Sequence, residues 1–256
     1  MKLISQILLI TLVLFSVSRC TGRNSVNSDS DLSADTTSVP DTGYTGIKKY
    51  YSGTNLIKEV TFKNGVREGL MKSFYQGGLL YMTYWYENGV REDSVKWYYP
   101  DGFLFRSSPY KHDTIHGIQK QYYRTGKLKA RIGYETGLRT PLIEEYSVNG
   151  KLLNDYPDVI ITIMDEYKTR GVYRINLALS DKSPKVKFYK GEFTDGRFDT
   201  TLCKIIKTVE GNGSLLLKKS GSVTTNSVGI IAEIVTPFGN KYLVNKKIDL
   251  PYNDLK

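Results

Sequence analysis

Residues 74–93 read FYQGGLLYMTYWYENGVRED, residues 98–117 read YYPDGFLFRSSPYKHDTIHG and residues 122–141 read YYRTGKLKARIGYETGLRTP. Aligned without a gap, these segments share one period. The first aromatic recurs at Tyr50, Phe74, Tyr98, Tyr122 and Tyr146, every 24 residues. A leucine follows at Leu56, Leu80, Leu104, Leu128 and Leu152, a second aromatic at Phe62, Tyr86, Tyr110 and Tyr134, and a glycine at Gly78, Gly102, Gly126 and Gly150. A fixed period of this length marks a repeat array, in which each unit buries its apolar face only by stacking on its neighbours. Such an array points away from a compact enzyme.

Each unit reads as a β-hairpin. In the third, Lys96-Trp97-Tyr98-Tyr99 is a short strand, Pro100-Asp101-Gly102 a turn and Phe103 to Tyr110 a second strand. Proline presets φ for the first central turn position, and glycine accepts the positive φ that follows. Asn64-Gly65 and Asn88-Gly89 are strong short-range hairpin signals, with counterparts at His112-Asp113 and Thr136-Gly137. A further turn-compatible position holds Gly69, Asp93, Gly117 and Pro141. The array is therefore expected to be an antiparallel meander of four hairpins plus a fragment. Its aromatic and leucine positions form rows that bury one face.

The three quoted segments resemble the bacterial variant of the MORN (membrane occupation and recognition nexus) repeat: Tyr-Tyr-x-x-Gly-x-Leu, a further aromatic, then two spaced glycines. The resemblance covers residues 44–153. Asp93 and Pro141 at glycine positions, and Thr54 in the first unit, depart from the pattern. Such repeats recur in the YwqK-like antitoxin family and in many exported proteins of Bacteroidetes-like bacteria. The resemblance implies a binding or scaffolding role, in some members as the immunity partner of a toxin, and it carries over no catalytic residues.

The period stops after Leu152, and Asn154 to Asp158 reads as a linker. Residues 158–256 hold seven short apolar runs: Val159–Met164, Val172–Leu179, Val186–Phe193, Leu202–Val209, Ser214–Leu217, Val228–Val235 and Tyr242–Ile248. Tyr173, Ile175, Leu177 and Leu179 alternate with Arg174 and Asn176, and turns such as Thr194-Asp195-Gly196 break the runs. This pattern predicts a β-sandwich and no convincing helix. The fold class expected for the whole chain is all-β: a repeat sheet followed by a sandwich.

The chain begins Met1-Lys2 and continues with an apolar run from Leu3 to Val17. That run is shorter than the ~18 residues of a membrane span and suits a secretory signal over residues 1–19. Val17-Ser18-Arg19-Cys20 resembles a bacterial lipobox, which would make Cys20 a lipidated N-terminus; Arg19 departs from the usual small residue. Ser16-Val17-Ser18 also fits ordinary signal peptidase cleavage. Residues 20–43 are rich in Ser, Thr, Asp and Asn and read as a disordered tether. The expected location is the bacterial envelope, lipid-anchored to the outer membrane, with a soluble periplasmic or secreted form as the alternative.

Among 256 residues, 40% are hydrophobic and 24% charged, as in a soluble globular protein. Most of the 20 tyrosines lie between Tyr44 and Tyr146. The net charge of +10 is spread through both halves without a block of like charges, which suits solvated strand faces. The only cysteine besides Cys20 is Cys203, in an apolar segment, and it reads as a small buried hydrophobe.

No catalytic constellation is legible. The only two histidines, His112 and His116, flank a repeat turn with Asp113 between them, and no third ligand completes a metal set. A metal-dependent hydrolase would require that pair. Glu144-Glu145 and Asp165-Glu166 are adjacent pairs whose side chains diverge on a strand. No cofactor motif is present. The expected role is therefore a non-enzymatic scaffold binding a protein or an envelope surface component, with a toxin-neutralising antitoxin as the alternative. The membrane is met through the lipid anchor, and export excludes nucleic acid as a partner. Tyr51, Tyr75, Tyr99 and Tyr123 follow directly after the first aromatic row and so face the opposite way. This second row, with Trp85 and Trp97 nearby, is the expected binding face, and the first row is the expected core.

Overall fold

The structure, a computed structural model, describes residues 43–222 and 226–256. The expected signal segment, Cys20 and all but the last residue of the expected tether lie outside the described residues. Everything described belongs to one compact unit, Pro40–Lys256. It is almost entirely antiparallel β-structure.

The repeats form a single 11-stranded sheet whose spatial order follows the chain. Its strands are β1 (Gly46–Ser52), β2 (Asn55–Lys63), β3 (Val66–Phe74), β4 (Leu80–Glu87), β5 (Val90–Tyr98), β6 (Leu104–Lys111), β7 (Thr114–Ile115), β8 (Gly117–Tyr122), β9 (Leu128–Glu135), β10 (Leu138–Tyr146) and β11 (Leu152–Leu153). The short β7 pairs with β6 only. The tight connections carry positive φ at both central residues: 51° and 79° at Asn64-Gly65, 50° and 86° at Asn88-Gly89, 49° and 62° at His112-Asp113, and 47° and 84° at Thr136-Gly137. These are the primed turns whose twist matches that of the flanking strands.

Two irregularities recur in the units. Near one end of the hairpin, three residues oppose one: Phe62 pairs with Arg67 while Val60 pairs with Met71, and Trp85 pairs with Glu92 while Thr83 pairs with Lys96. Gly69, Asp93 and Gly117 take positive φ of 83°, 57° and 109° at the corresponding position. Near the other end, Ile57, Tyr81, Phe105 and Lys129 are each an extra residue against the partner strand. Bulges of this kind bend a strand and increase its twist.

The second half is a pair of four-stranded antiparallel sheets, as the seven apolar runs lead one to expect. One has the order β12-β13-β17-β16 and the other β15-β14-β18-β19. The strands are β12 (Val159–Glu166), β13 (Val172–Leu179), β14 (Val186–Lys190), β15 (Lys204–Ile206), β16 (Thr208–Val209), β17 (Asn212–Lys218), β18 (Ser227–Val235) and β19 (Lys241–Asp249). Ile175, Leu177, Phe188, Ile230 and Ile234 make the dry centre, each almost wholly buried. The run read as one strand, Leu202–Val209, is instead a 3-10 turn and two short strands. The chain crosses from one sheet to the other at Lys207, between β15 and β16. A one-turn helix, α1 (Tyr167–Arg170), joins β12 to β13 and ends on Gly171 at φ 67°.

Candidate binding face

Cross-strand pairing assigns the side chains of the repeat sheet to two faces. One carries the row Met82, Trp97, Arg106, Gln121, Ala130 and Glu145. Beside it lie Val60, Met71 and Tyr84, and then the second aromatics of the units. This is the buried face: Met82, Tyr84, Tyr86, Val95 and Trp97 form a core cluster. Arginines cap it. Arg67 lies over Tyr86, Arg91 over Tyr110, Arg106 over Trp97 at 4.0 Å and Arg139 over Tyr134. Guanidinium stacking covers the rings while the stems add apolar contact. Burial pushes the Tyr84 phenol well above its ordinary value.

The C-terminal part of this face docks on the sandwich through Glu145, whose side chain is 1% exposed. Its carboxylate accepts hydrogen bonds from Thr236 Oγ1 at 2.8 Å, Asn240 Nδ2 at 2.6 Å and Tyr156 OH at 3.1 Å. Gln121 donates to Asn240 Oδ1, and Arg139 donates to the Lys241 carbonyl. The Phe198 amide donates to the Arg139 carbonyl, and Tyr156 stacks on Tyr242. Burial holds the Arg139 guanidinium below its ordinary value.

The second tyrosine row, expected as the binding face, links neighbouring units through its hydroxyls. Tyr75 OH donates to the Tyr98 carbonyl at 2.7 Å, Tyr99 OH to the Tyr122 carbonyl at 3.0 Å, and Tyr123 OH to the Tyr146 carbonyl at 2.6 Å. Each ring also packs on the bulge residue of its own unit. Tyr75 meets Tyr81 at 4.9 Å and Tyr99 meets Phe105 at 5.0 Å, while Lys129 lies over Tyr123. These half-buried tyrosines are inter-repeat staples. At the opposite end of each hairpin the turn amides do the same work: Asn88 N donates to Glu68, His112 N to Glu92 and Thr136 N to His116 Nδ1.

Of the residues expected on a binding face, Tyr51 and Trp85 are exposed, at 57% and 42%. Tyr51 sits in the irregular first unit. Trp97 is 7% exposed beneath Arg106, so it belongs to the core and not to an open face. His116 takes the ladder place that Glu68 and Glu92 hold in earlier units, and His112 Nδ1 lies 3.3 Å from Glu92. Among the described residues, no three His, Cys, Asp or Glu side chains are grouped to hold a metal ion. Glu144 and Glu145 diverge: Glu144 pairs with Arg131 at 2.7 Å on the face opposite Glu145. Cys203 packs half-buried against the Tyr189–Phe198 cluster, and burial raises its thiol pKa.

The open face remains. Pairing places Lys49, Glu59, Lys72, Thr83, Lys96, Ser107, Lys120, Arg131 and Glu144 in one continuous row across the strands. Lys96 and Lys120 are exposed, and among the described residues no carboxylate lies within ion-pair distance of either. Glu59 engages Lys49 at 3.4 Å and Lys72 at 3.9 Å at one end, and Glu144 engages Arg131 at the other. By alternation along the strands, Phe74, Tyr98, Tyr122 and Tyr146 flank this row on one side. Leu70 and the exposed Trp85 pair on its other side. The first aromatic row, expected as the core, therefore borders the open face and is half-buried throughout. The lysines that recur two residues before it (Lys72, Lys96, Lys120) are a periodic signal legible in the chain but not read from it.

No protein-family model matches the chain, and no curated protein shows significant similarity to it. Among the described residues no helix is long and apolar enough to cross a membrane.

The staples make a quantitative prediction. Tyr99→Phe deletes one hydroxyl that bonds a carbonyl of the next unit and leaves the ring packing on Phe105 intact. We expect a loss of about 1 kcal/mol, read as a lower urea midpoint with unchanged slope. A wild-type midpoint would show that the bond contributes nothing.

Proposed function

We propose that this protein is an exported, envelope-anchored binding protein, and that its repeats, of the bacterial MORN type, serve as a recognition scaffold rather than as a catalyst. Acylation of Cys20 would tether the folded body to the membrane, with the Ser/Thr/Asp-rich stretch between as a spacer. The partner is a protein or a surface component of the envelope, and no cofactor takes part.

One observation carries this reading: the two faces of the repeat sheet are treated differently. One is packed with aromatic rings, capped by arginines and docked on the sandwich through Glu145. The other keeps unpaired lysines and exposed apolar side chains in register along the array. Rigid sheets with aromatic side chains interleaved with cations make good contact surfaces.

Mass spectrometry of the mature N-terminus tests the anchoring. A diacyl or triacyl mass on Cys20 is expected. A cytosolic protein that retains Met1 would overturn the proposal.

A further inference from the structure

We infer that the open face of the repeat sheet binds a linear anionic polysaccharide carrying one carboxylate on every second sugar, laid along the row Lys72, Lys96 and Lys120. The inference rests on the reading of this face as a recognition surface and names its ligand.

Lys72 stands on β3, Lys96 on β5 and Lys120 on β8, joined through Thr83 on β4 and Ser107 on β6. Consecutive lysines are thus two strands apart, about 9.6 Å, and the three span four strand steps, about 19 Å. The row is perpendicular to the strands and one residue wide. Beyond the three lysines the row runs into ion pairs, Glu59 with Lys72 and Lys49 at one end and Arg131 with Glu144 at the other.

The spacing selects the class of ligand. In an extended β-linked glycan each sugar ring advances by about one inter-strand distance, so carboxylates on alternate rings fall in register with successive lysines. An extended acidic peptide presents same-face side chains about 6.7 Å apart and loses register after one contact. An anionic bilayer presents headgroups in two dimensions, whereas these cations form a single line.

The lateral chemistry suits sugar rings as well. Ser107 puts a hydroxyl between Lys96 and Lys120, where the uncharged ring of a disaccharide would lie, whereas Thr83, between Lys72 and Lys96, is buried. Tyr98 and Tyr122 run along one flank, and the exposed indole of Trp85 stands on the other, held by a bond from its Nε1 to Glu87. Aromatic rings with a polar handle offer stacking faces beside hydrogen-bonding groups. Exposed ion pairs are individually weak and screened by salt, so affinity should build with the number of contacts and fall with ionic strength.

The test uses the full-length protein and hyaluronan oligosaccharides, in which uronate alternates with a neutral sugar, followed by calorimetry at low and physiological salt. Binding should strengthen from the tetrasaccharide, with two uronates, to the hexasaccharide, with three, and then level off. Lys96→Glu combined with Lys120→Glu should weaken hexasaccharide binding about tenfold or more, while thermal unfolding stays at the wild-type temperature. Lys246→Glu on β19 should leave binding unchanged. No binding of the hexasaccharide, or binding indifferent to the double variant, would overturn the inference. So would preferential binding of the wild type to phosphatidylcholine vesicles containing a quarter phosphatidylglycerol. An acylated Cys20 together with failure on hyaluronan would leave the envelope-anchored reading standing and remove only this ligand.

Discussion

Replacing Glu145 by alanine is expected to lower the stability of the compact unit by about 3 kcal/mol and to separate the unfolding of the repeat sheet from that of the sandwich. The carboxylate accepts from three donors, and two of them, on Thr236 and Asn240, belong to residues only 4% and 8% exposed. Alanine removes the acceptor and leaves those donors buried without it, at roughly 1–3 kcal/mol for each such group. The measurement is favoured by tryptophan placement. Both tryptophans of the chain, Trp85 and Trp97, are in the repeat sheet, so indole fluorescence follows that half alone while far-ultraviolet dichroism follows both. Wild-type transitions by the two probes should coincide, and in the variant they should part. Glu145→Gln is the control. Its amide keeps one oxygen for Thr236 and Asn240 and turns a donor toward Tyr156 OH, so the loss should stay below about 1 kcal/mol. Coincident transitions at the wild-type midpoint in the alanine variant would show that the two halves are held by something other than this carboxylate.

Glu145 also marks where sequence reasoning stops. The divergence of Glu144 and Glu145 follows from strand alternation alone, and it holds: one pairs with Arg131 and the other is buried. Which of the two faces is covered does not follow. Period-2 alternation says only that neighbours point apart. Coverage depends on how the sheet twists and on what packs across it, here a sandwich whose contact residues (Thr236, Asn240, Phe198) lie far along the chain.

The same gap explains the aromatic rows. The repeat length, the hairpins and the primed turns are local properties, written in Asn-Gly pairs and in recurring glycines, and they are all present in the fold. Assigning Tyr98 to the core and Tyr99 to a binding face requires knowing the register across two bulges in each unit. A two-residue mismatch near Gly69 or Asp93, and a one-residue mismatch at Tyr81 or Phe105, are set by paired strands. The hydroxyl staples were within reach of the pattern. A tyrosine recurring directly after the first aromatic of each unit lies 23 residues before the next such aromatic, which in a 24-residue meander is its spatial neighbour. Crossing between sheets at Lys207 was not within reach, because Leu202–Val209, apolar or basic but for Thr208, offers no glycine, proline, asparagine or aspartate to mark the corner.

Gly133→Ala is the second substitution with a large expected effect, a loss of about 2 kcal/mol from overpacking. Gly133 is buried in the middle of β9, and an added Cβ would stand 2.9 Å from Leu142 Cβ and inside the envelope of Thr140 Oγ1. Corresponding positions in the earlier units are Thr61, Trp85 and Pro109, so the site does not demand glycine by its place in the repeat. The cause is Pro141. Where Gly69, Asp93 and Gly117 turn the bulge through positive φ, proline is confined to negative φ. Pairing of β10 with β9 still skips from Arg139 to Ile143. The three intervening residues close over the strand, with Leu142 N approaching Thr140 Oγ1 at 3.4 Å. The departure from the repeat at Pro141 and the glycine at 133 are therefore one adaptation made on two strands. Thr140→Ala in the Gly133→Ala background should recover part of the loss, giving a favourable coupling of about 0.5 kcal/mol or more in a double-mutant cycle measured by urea unfolding. Strict additivity of the two substitutions would show that Thr140 is not what excludes a side chain from β9.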